Sequence, residues 1–348
     1  MRLAEDTSIE SLERPYLKHT IPRSPFSTEK GVLLPSLTHH PPSSNLSPSM
    51  KFAFSTLAAP AWDFATIAAR AKEYGYDGVE IRGFLNESLL TASNIFLSDP
   101  RKVRELFKEQ NIQIACLSSS IAFTANRRRD KQSAQDLMTF IDTARMLDCP
   151  MVKISDTQMR PGQSRDEAAA SLAQWLSPLG DYAAERDVTI LIENLLSFRH
   201  AKELWLILEM LSHPAVAACW DVFNAALIGE VPAISVPTLN NRIQYVQVKD
   251  ATLGPLGASF GRLGEGNVRV QDLLKRLLGI GYDGWVSFEW EKAWLPNMIG
   301  EPQDMLPDAV KKLRDWTKPP EEPVKKGHAP AAAKAPAAKS DAAPAAAH

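Results

Sequence analysis

The feature that most constrains this chain is the alternation of short apolar runs with amphipathic stretches between residues 50 and 317. A run of five to nine apolar residues is typical of a buried strand, and apolar residues at helical spacing indicate an amphipathic helix. The predicted strands are 51–55, 78–83, 112–120, 151–155, 188–194, 217–223, 243–250 and 285–290. The clearest predicted helices are 63–75, 133–148, 165–187 and 270–281.

Strict strand–helix alternation predicts a parallel sheet with helices outside it. Eight such units in about 270 residues have the size of a (β/α)8 TIM barrel. A doubly wound open sheet is the alternative, but it usually has fewer strands, and no GxGxxG follows the first strand here. We therefore predict a single α/β domain, a (β/α)8 TIM barrel over residues 50–317.

The two ends of the chain lack this pattern. Residues 1–49 are rich in Ser, Pro and Thr without a lasting periodicity, and residues 318–348 are a low-complexity Ala, Pro and Lys tail. Such compositions cannot bury enough apolar surface to fold alone. We expect disordered N- and C-terminal extensions on either side of the barrel.

Charge and cysteine usage limit the classes of partner. The net charge is −2, and no basic surface interleaved with aromatic residues is evident, so we expect no nucleic-acid partner. No apolar run approaches the roughly 18 residues of a membrane span, so we expect no membrane partner. The three cysteines are scattered without a CxxC pair, which favours a reducing, cytoplasmic location.

Polar side chains at the ends of four successive strands are the main candidates for chemistry. They are Glu193, Asp221, Gln247 and Glu289, on the predicted strands five to eight. In a barrel these strand ends share one mouth, where active sites lie. Three carboxylates there would repel one another unless a cation lay among them. Taken singly, each acid is more often a surface charge or a helix cap.

A divalent metal would resolve that repulsion. All the ligands would be oxygens if Gln247 used its amide carbonyl. Oxygen ligands favour Mn²⁺ or Mg²⁺, with Co²⁺ as an alternative. The hypothesis from the residues alone is one divalent ion held by the four strand ends.

Several segments, in this order, resemble the sugar phosphate isomerase/epimerase family, the xylose isomerase-like TIM barrels. They are FAFSTLAAPAWDFATIAARAKEYGYDGVEIRG, VTILIEN, WDVFNA, YVQVKDA, LGEGNV and GYDGWVSFEWEKAW, and the resemblance covers about 50–316. It implies one divalent metal bound at Glu193, Asp221, Gln247 and Glu289. Proteins of this kind often pair, so we also expect a homodimer.

Two positions depart from the family pattern. Gln247 stands where the family usually has a metal-binding His, although some dehydratases of the superfamily resemble this arrangement. Asn224 stands where the family often has a substrate-binding His, and an amide can hydrogen-bond a hydroxyl but cannot act as an acid or base near neutral pH.

Further candidates for substrate binding are Lys153, Asn224, Lys249 and Arg262. Lys249 is two residues after Gln247 on the same predicted strand and therefore points to the same side. Lys153 would face the barrel interior, and Arg262 follows strand seven in a Gly-rich loop. A salt-bridged lysine at a strand end is the alternative for Lys249.

These residues lead to three hypotheses about function. The first is a metal-dependent isomerase or epimerase of a sugar or sugar-like polyol, with Glu193 and Glu289 transferring a proton next to a carbonyl. The second is a metal-dependent dehydratase of a cyclic polyol or keto acid, of the inosose or dehydroshikimate type. The third is a barrel that binds a sugar without turnover, which Gln247 and Asn224 would allow.

Overall fold

Eight parallel strands close into a barrel in this computed structural model, which describes residues 50–83, 99–255 and 257–318. The bounds of these strands are β1 Lys51–Ser55, β2 Gly78–Ile81, β3 Gln113–Ser118, β4 Met151–Ser155, β5 Thr189–Glu193, β6 Val216–Asp221, β7 Ile243–Val248 and β10 Trp285–Phe288. Around the barrel they follow one another in the order β1-β10-β7-β6-β5-β4-β3-β2. The predicted fold is confirmed, and β10 is the eighth barrel strand.

Helices lie between the strands. They are α1 Phe64–Tyr74, α2 Pro100–Glu109, α3 Arg127–Met146, α4 Arg165–Ala184, α5 Ala201–Leu211, α6 Val222–Ala226, α7 Pro232–Leu239, α8 Val270–Gly279 and α9 Pro302–Thr317. Among these described helices none is long and apolar enough to cross a membrane. The predicted extensions 1–49 and 318–348 lie outside the described residues, apart from Lys318.

Short polar signals set the helix ends. The Asp63 side chain accepts from the Thr66 amide and begins α1, and Gly75 ends it at φ 85°. Glycine adopts this left-handed conformation without a steric penalty. At α4, Ser164 and Glu167 form a reciprocal capping box. These ends agree with the predicted helices to within a few residues.

Several strand ends differ from the predicted bounds by one or two residues, and two further differences have a specific physical cause. The strand predicted over 217–223 ends at Asp221, because its Oδ1 accepts from the Phe223 and Asn224 amides and caps α6. An antiparallel hairpin, β8 Asp250–Gly254 and β9 Gly257–Gly261, follows β7 where a loop was predicted. Its strands are short, Gly-bounded and mostly exposed, so they carry no apolar periodicity that would reveal them.

The barrel separates two apolar regions. The larger one lies between the strands and the helices. The smaller one fills the barrel interior with Ala53, Ala115, Cys116, Met151, Leu191, Ala217, Cys219, Tyr245 and Trp285. Beyond these residues, toward the C-terminal ends of the strands, the inward-facing side chains become polar. The barrel interior is therefore apolar below a buried polar site at the mouth.

Gly78, the first residue of β2, occupies a place where a methyl group has no room. An added Cβ would lie 2.6 Å from the Gln113 carbonyl oxygen and 2.7 Å from the Trp285 ring. We expect Gly78→Ala to lower the free energy of unfolding by about 1–3 kcal/mol, because backbone and indole must both shift. Gly279→Ala is the matched control, since nothing lies within 4 Å of its Cβ. Urea denaturation of both variants tests this, and equal losses would contradict it.

Candidate active site

The structure brings the four predicted strand-end residues together inside the barrel mouth. Glu193 and Asp221 are the last residues of β5 and β6, Gln247 is near the end of β7, and Glu289 directly follows β10. Asp221 and Gln247 are register partners on neighbouring strands, and Gln247 is also level with Ser287. All four side chains are buried.

These residues belong to a larger buried group, which we name the carboxylate–lysine cluster. Its members are Glu80, Lys153, Glu193, Asp221, Gln247, Lys249, Glu289 and Glu291. None of them is more than 5% exposed. Burial of this many charges costs free energy unless each is paired, so the pairing within the cluster decides its chemistry.

Lys249 is the central cation of the cluster. Its Nζ donates to Asp221 Oδ2 at 3.0 Å, to Glu289 Oε2 at 2.6 Å and to Glu291 Oε1 at 2.9 Å. An ammonium group has three N–H donors, and all three are used. The same Nζ lies 5.3 Å from the centre of the Phe223 ring. Lys249 is therefore held in place by charge from three sides.

Glu193 is paired in a similar way. The Lys153 Nζ donates to Glu193 Oε2, and Asn224 Nδ2 donates to Glu193 Oε1 at 3.3 Å. Lys153 is on β4, next to β5, and only 2% of it is exposed. Both carboxylate oxygens of Glu193 thus have a protein donor, and one of these donors is charged.

The Gln247 amide is oriented by two carboxylates. Its Nε2 donates to Glu80 Oε1 at 2.9 Å and to Glu289 Oε1 at 2.8 Å, while its Oε1 accepts from Cys219 Sγ at 3.3 Å. Lys249 and Lys153 lower the pKa of Glu289, and an ionised carboxylate only accepts hydrogen bonds, so Glu289 selects the NH₂ group rather than the carbonyl. The carbonyl oxygen that was predicted to bind metal is turned toward the Cys219 thiol.

Asp221 is fixed through the backbone as well as through Lys249. Its Oδ1 accepts from the Phe223 amide at 2.7 Å and from the Asn224 amide at 3.2 Å. Asn194 binds the main chain of Asp221 twice, by accepting from its N–H at 2.8 Å and donating to its carbonyl at 3.0 Å. The end of β6 is therefore rigidly placed, and both oxygens of the Asp221 carboxylate are engaged.

Burial and the neighbouring charges raise the pKa of some cluster members and lower the pKa of others. Burial, and then the charge of Glu289, raise the pKa of Glu80. Burial also acts to raise the pKa of Glu289, but the charges of Lys249 and Lys153 outweigh it and lower that pKa. The three carboxylates around Lys249 likewise overcome its burial and raise its pKa well above the usual value. Lys249 and Glu289 are therefore both charged at neutral pH.

The arrangement of donors does not fit the predicted divalent metal. Every side-chain oxygen of Glu193, Asp221, Gln247 and Glu289 already accepts a hydrogen bond from the protein. Three of these bonds come from ammonium groups, which would repel a metal cation at the same oxygens. Within 50–83, 99–255 and 257–318, no group of three or more His, Cys, Asp or Glu side chains is arranged to hold a metal ion.

Three of the four predicted substrate-binding residues lie in or beside the cluster. Lys153 and Lys249 are members of it, and Asn224 contacts Glu193. Arg262 is not brought to it: its Nη1 donates to the Asp304 carbonyl at 3.3 Å and lies 3.6 Å from Asp308 Oδ2, both on α9. The contacts of Arg262 are those of a residue that ties the loop after β9 to the last helix.

Cys219 and Tyr245 are among the residues of the site that were not assigned from the sequence. Cys219 donates to Gln247, and the Tyr245 hydroxyl lies 3.1 Å from Glu80 Oε2. Each is two positions before a predicted site residue on the same strand, and residues i and i+2 of a strand share a face. That spacing is the signal that could have identified both.

The profile of one protein family matches most of the chain. The family is described as xylose isomerase-like TIM barrel, and the match covers residues 68–318. No curated protein sequence matches the chain.

Solved structures with the same fold include sugar epimerases and a dehydratase. The structure of D-allulose 3-epimerase from Methylomonas sp. is 19% identical, with a TM-score of 0.64 over 77% of this chain and 98% of that one. The structure of 3-keto-D-glucoside 4-epimerase from E. coli is 16% identical, with a TM-score of 0.62 over 77% of this chain and 100% of that one. The structure of the probable 3-DHS dehydratase from Bacillus anthracis is 17% identical, with a TM-score of 0.61 over 76% of this chain and 99% of that one. At these identities the similarity shows the fold.

Proposed function

We propose that this chain, which belongs to the xylose isomerase-like TIM barrel family, is an isomerase or epimerase of a small sugar or sugar-like polyol that carries a carbonyl group. The observation that carries the proposal is the pair of buried glutamates, Glu193 and Glu289, each held by its own lysine at the C-terminal mouth of the barrel. Two carboxylates held in place around one substrate position can remove and return a proton.

The proposed reaction is a proton transfer at the carbon next to the carbonyl. The ionised glutamate takes the proton from this carbon. The C–H electron pair forms a C=C bond while the carbonyl π pair moves onto its oxygen, which gives an enediolate. The other glutamate, which must carry a proton for this step, then returns that proton. Return to the opposite face of the same carbon inverts it. Return to the former carbonyl carbon moves the carbonyl to its neighbour, with the hydroxyl proton of the neighbour passing to the former carbonyl oxygen. Each glutamate has two donors that hold it in position: Lys153 and Asn224 for Glu193, and Gln247 and Lys249 for Glu289.

The negative charge that develops on the enediolate oxygen needs a positive group nearby. Lys153 supplies one, because its ammonium group lies against Glu193 in the same buried site. Burial strengthens this electrostatic interaction relative to water. The Asn224 amide, which contacts the same glutamate, is suited to bind a substrate hydroxyl. A divalent metal, Mn²⁺ or Mg²⁺, stays a prediction from the sequence, as do a homodimer and a cytoplasmic location.

A dehydratase is the second candidate function. It begins with the same proton abstraction by one glutamate. The C–O bond on the next carbon then breaks, and the other glutamate supplies the proton with which the hydroxyl leaves as water. Gln247 favours this candidate, since some dehydratases resemble the chain at that position, and one fold neighbour is described as a probable dehydratase.

Proton exchange in D₂O separates these functions. The purified full-length chain is incubated with a panel of ketoses and cyclic keto-polyols and followed by ¹H NMR. For an isomerase or epimerase we expect loss of the signal of the proton next to the carbonyl, together with a new sugar of the same mass apart from deuterium. For a dehydratase we expect a product lighter by one water with a new ultraviolet absorbance. Saturable binding of a sugar without exchange would refute both and indicate a non-catalytic binding barrel.

A further inference from the structure

The cations of this site come from the chain itself. Lys249 is two residues after Gln247 and directly follows β7. Its Nζ is within 3.0 Å of both Asp221, the last residue of β6, and Glu289, the first residue after β10, and these two strands flank β7. A divalent ion shared by these two carboxylates would need their oxygens at about 2.0–2.2 Å. The ion and the ammonium group would then be like charges only a few ångströms apart in a buried site.

We infer that the Lys249 ammonium group takes the position that a divalent metal would need, so that the cluster is complete without a metal ion. The catalytic consequence rests on the function proposed above, but the occupancy of the site does not. The ammonium group of the chain then stands in place of the divalent metal predicted from the sequence.

Glu291 supports this assignment. It is outside the four residues predicted to bind metal, and it is only 5% exposed. In the part of the chain that the structure describes, its side-chain hydrogen bond is the one from Lys249 Nζ at 2.9 Å. An ammonium group has three donors and needs three acceptors, and Glu291 is the third. A divalent metal held by the other four residues would leave this buried carboxylate without a positively charged partner.

The ion pairs of the predicted metal-binding acids support it as well. Lys153 pairs with Glu193, and Lys249 pairs with Asp221 and Glu289, so every acid of the predicted metal set has a lysine partner. Together the two ammonium groups carry the two positive charges of one divalent ion. The difference is that an ammonium group is fixed to a strand and cannot be removed by a chelator.

The two lysines have different roles in the proposed reaction. Lys249 uses all three donors on carboxylates and acts as a positioning residue for Glu289. Lys153 donates to Glu193, and within the described residues this is its one side-chain hydrogen bond, so it retains donors for a substrate oxygen. Polarisation of the carbonyl would then come from N–H donors on Lys153.

Mn²⁺ binding tests the inference without any substrate. The full-length chain is treated with a chelator, dialysed and titrated with Mn²⁺ alone, and free Mn²⁺ is followed by electron paramagnetic resonance. We expect no one-equivalent binding by the wild type. Lys249→Met removes the ammonium group and leaves three carboxylates, so we expect it to gain one equivalent of Mn²⁺. Lys72→Met, an exposed lysine on α1, is the control and should gain none.

Two results would overturn the inference. One is a wild type that binds one equivalent of Mn²⁺ and loses it in Asp221→Ala while keeping it in Lys72→Met. The other is a folded Lys249→Met protein that gains no Mn²⁺ site. If Lys249→Met does not fold, the wild-type titration decides alone. Because none of these readouts involves turnover, failure of the D₂O exchange assay leaves the inference intact, and the reverse also holds.

Discussion

Lys249→Met is expected to lower the free energy of unfolding by about 3–5 kcal/mol, the cost of leaving buried charge without its partner. The substitution keeps the length of the side chain but removes the ammonium group that contacts Asp221, Glu289 and Glu291. Each of these carboxylates is at most 5% exposed, so water cannot replace the lost interaction. Urea denaturation at neutral pH measures the change.

The size of this loss is interpreted against two other variants. Lys72→Met changes an exposed lysine and should alter stability by less than about 0.5 kcal/mol. The double variant Lys249→Met/Glu291→Gln also removes one of the three carboxylates that lose their lysine partner. We therefore expect it to be more stable than Lys249→Met alone. Since a ligand that binds only the folded state stabilises it, Mn²⁺ should raise the Tm of Lys249→Met but not that of the wild type. A loss in Lys249→Met no larger than in Lys72→Met would contradict the central role of Lys249.

Glu193→Gln and Glu289→Gln are each expected to lower kcat/KM about 10²–10⁴-fold, the usual contribution of a general acid or base. Glutamine keeps the shape of the side chain but cannot take or return the proton. Glu109→Gln, on the exposed end of α2, is the matched control and should keep full activity. Steady-state kinetics on the substrate found in the D₂O assay measure these values, and circular dichroism confirms that the variants are folded.

Proton exchange in D₂O, measured separately for each epimer, distinguishes the roles of the two glutamates in the same variants. If the reaction is an epimerisation in which the two glutamates serve opposite faces of the carbon, each variant loses the proton exchange of one epimer and retains that of the other. Equal loss of both exchanges in both variants would show that the glutamates act at a single face. Wild-type activity in either variant would remove that glutamate from the mechanism.

The barrel could be predicted because its signal is distributed over the whole chain. The strands predicted at 51–55 and 151–155 match β1 and β4 residue for residue, because both are short runs of mostly buried residues. The hairpin of β8 and β9 could not be predicted, because GASFG has no period that distinguishes a strand from a loop. The end of β6 at Asp221 depended on a single side chain that caps α6.

The candidate site could also be predicted only in part. Strand periodicity alone placed Glu193, Asp221, Gln247 and Glu289 at one mouth, because parallel strands all end there. It did not reveal which groups pair. Lys249, whose alternative interpretation was a salt-bridged lysine, contacts three carboxylates, and Arg262 contacts α9 rather than the cluster.

The sequence by itself determined the eight barrel strands, their order and the four strand-end residues Glu193, Asp221, Gln247 and Glu289 at the mouth, because these follow from local periodicity and from the direction of parallel strands. Only the tertiary structure decided that Lys153 and Lys249 meet the carboxylates, that the Gln247 amide turns its NH₂ group to Glu80 and Glu289, and that Glu291 completes the set. Pairing depends on distances between side chains of different strands. Barrel closure sets those distances, and no spacing along a single strand contains them.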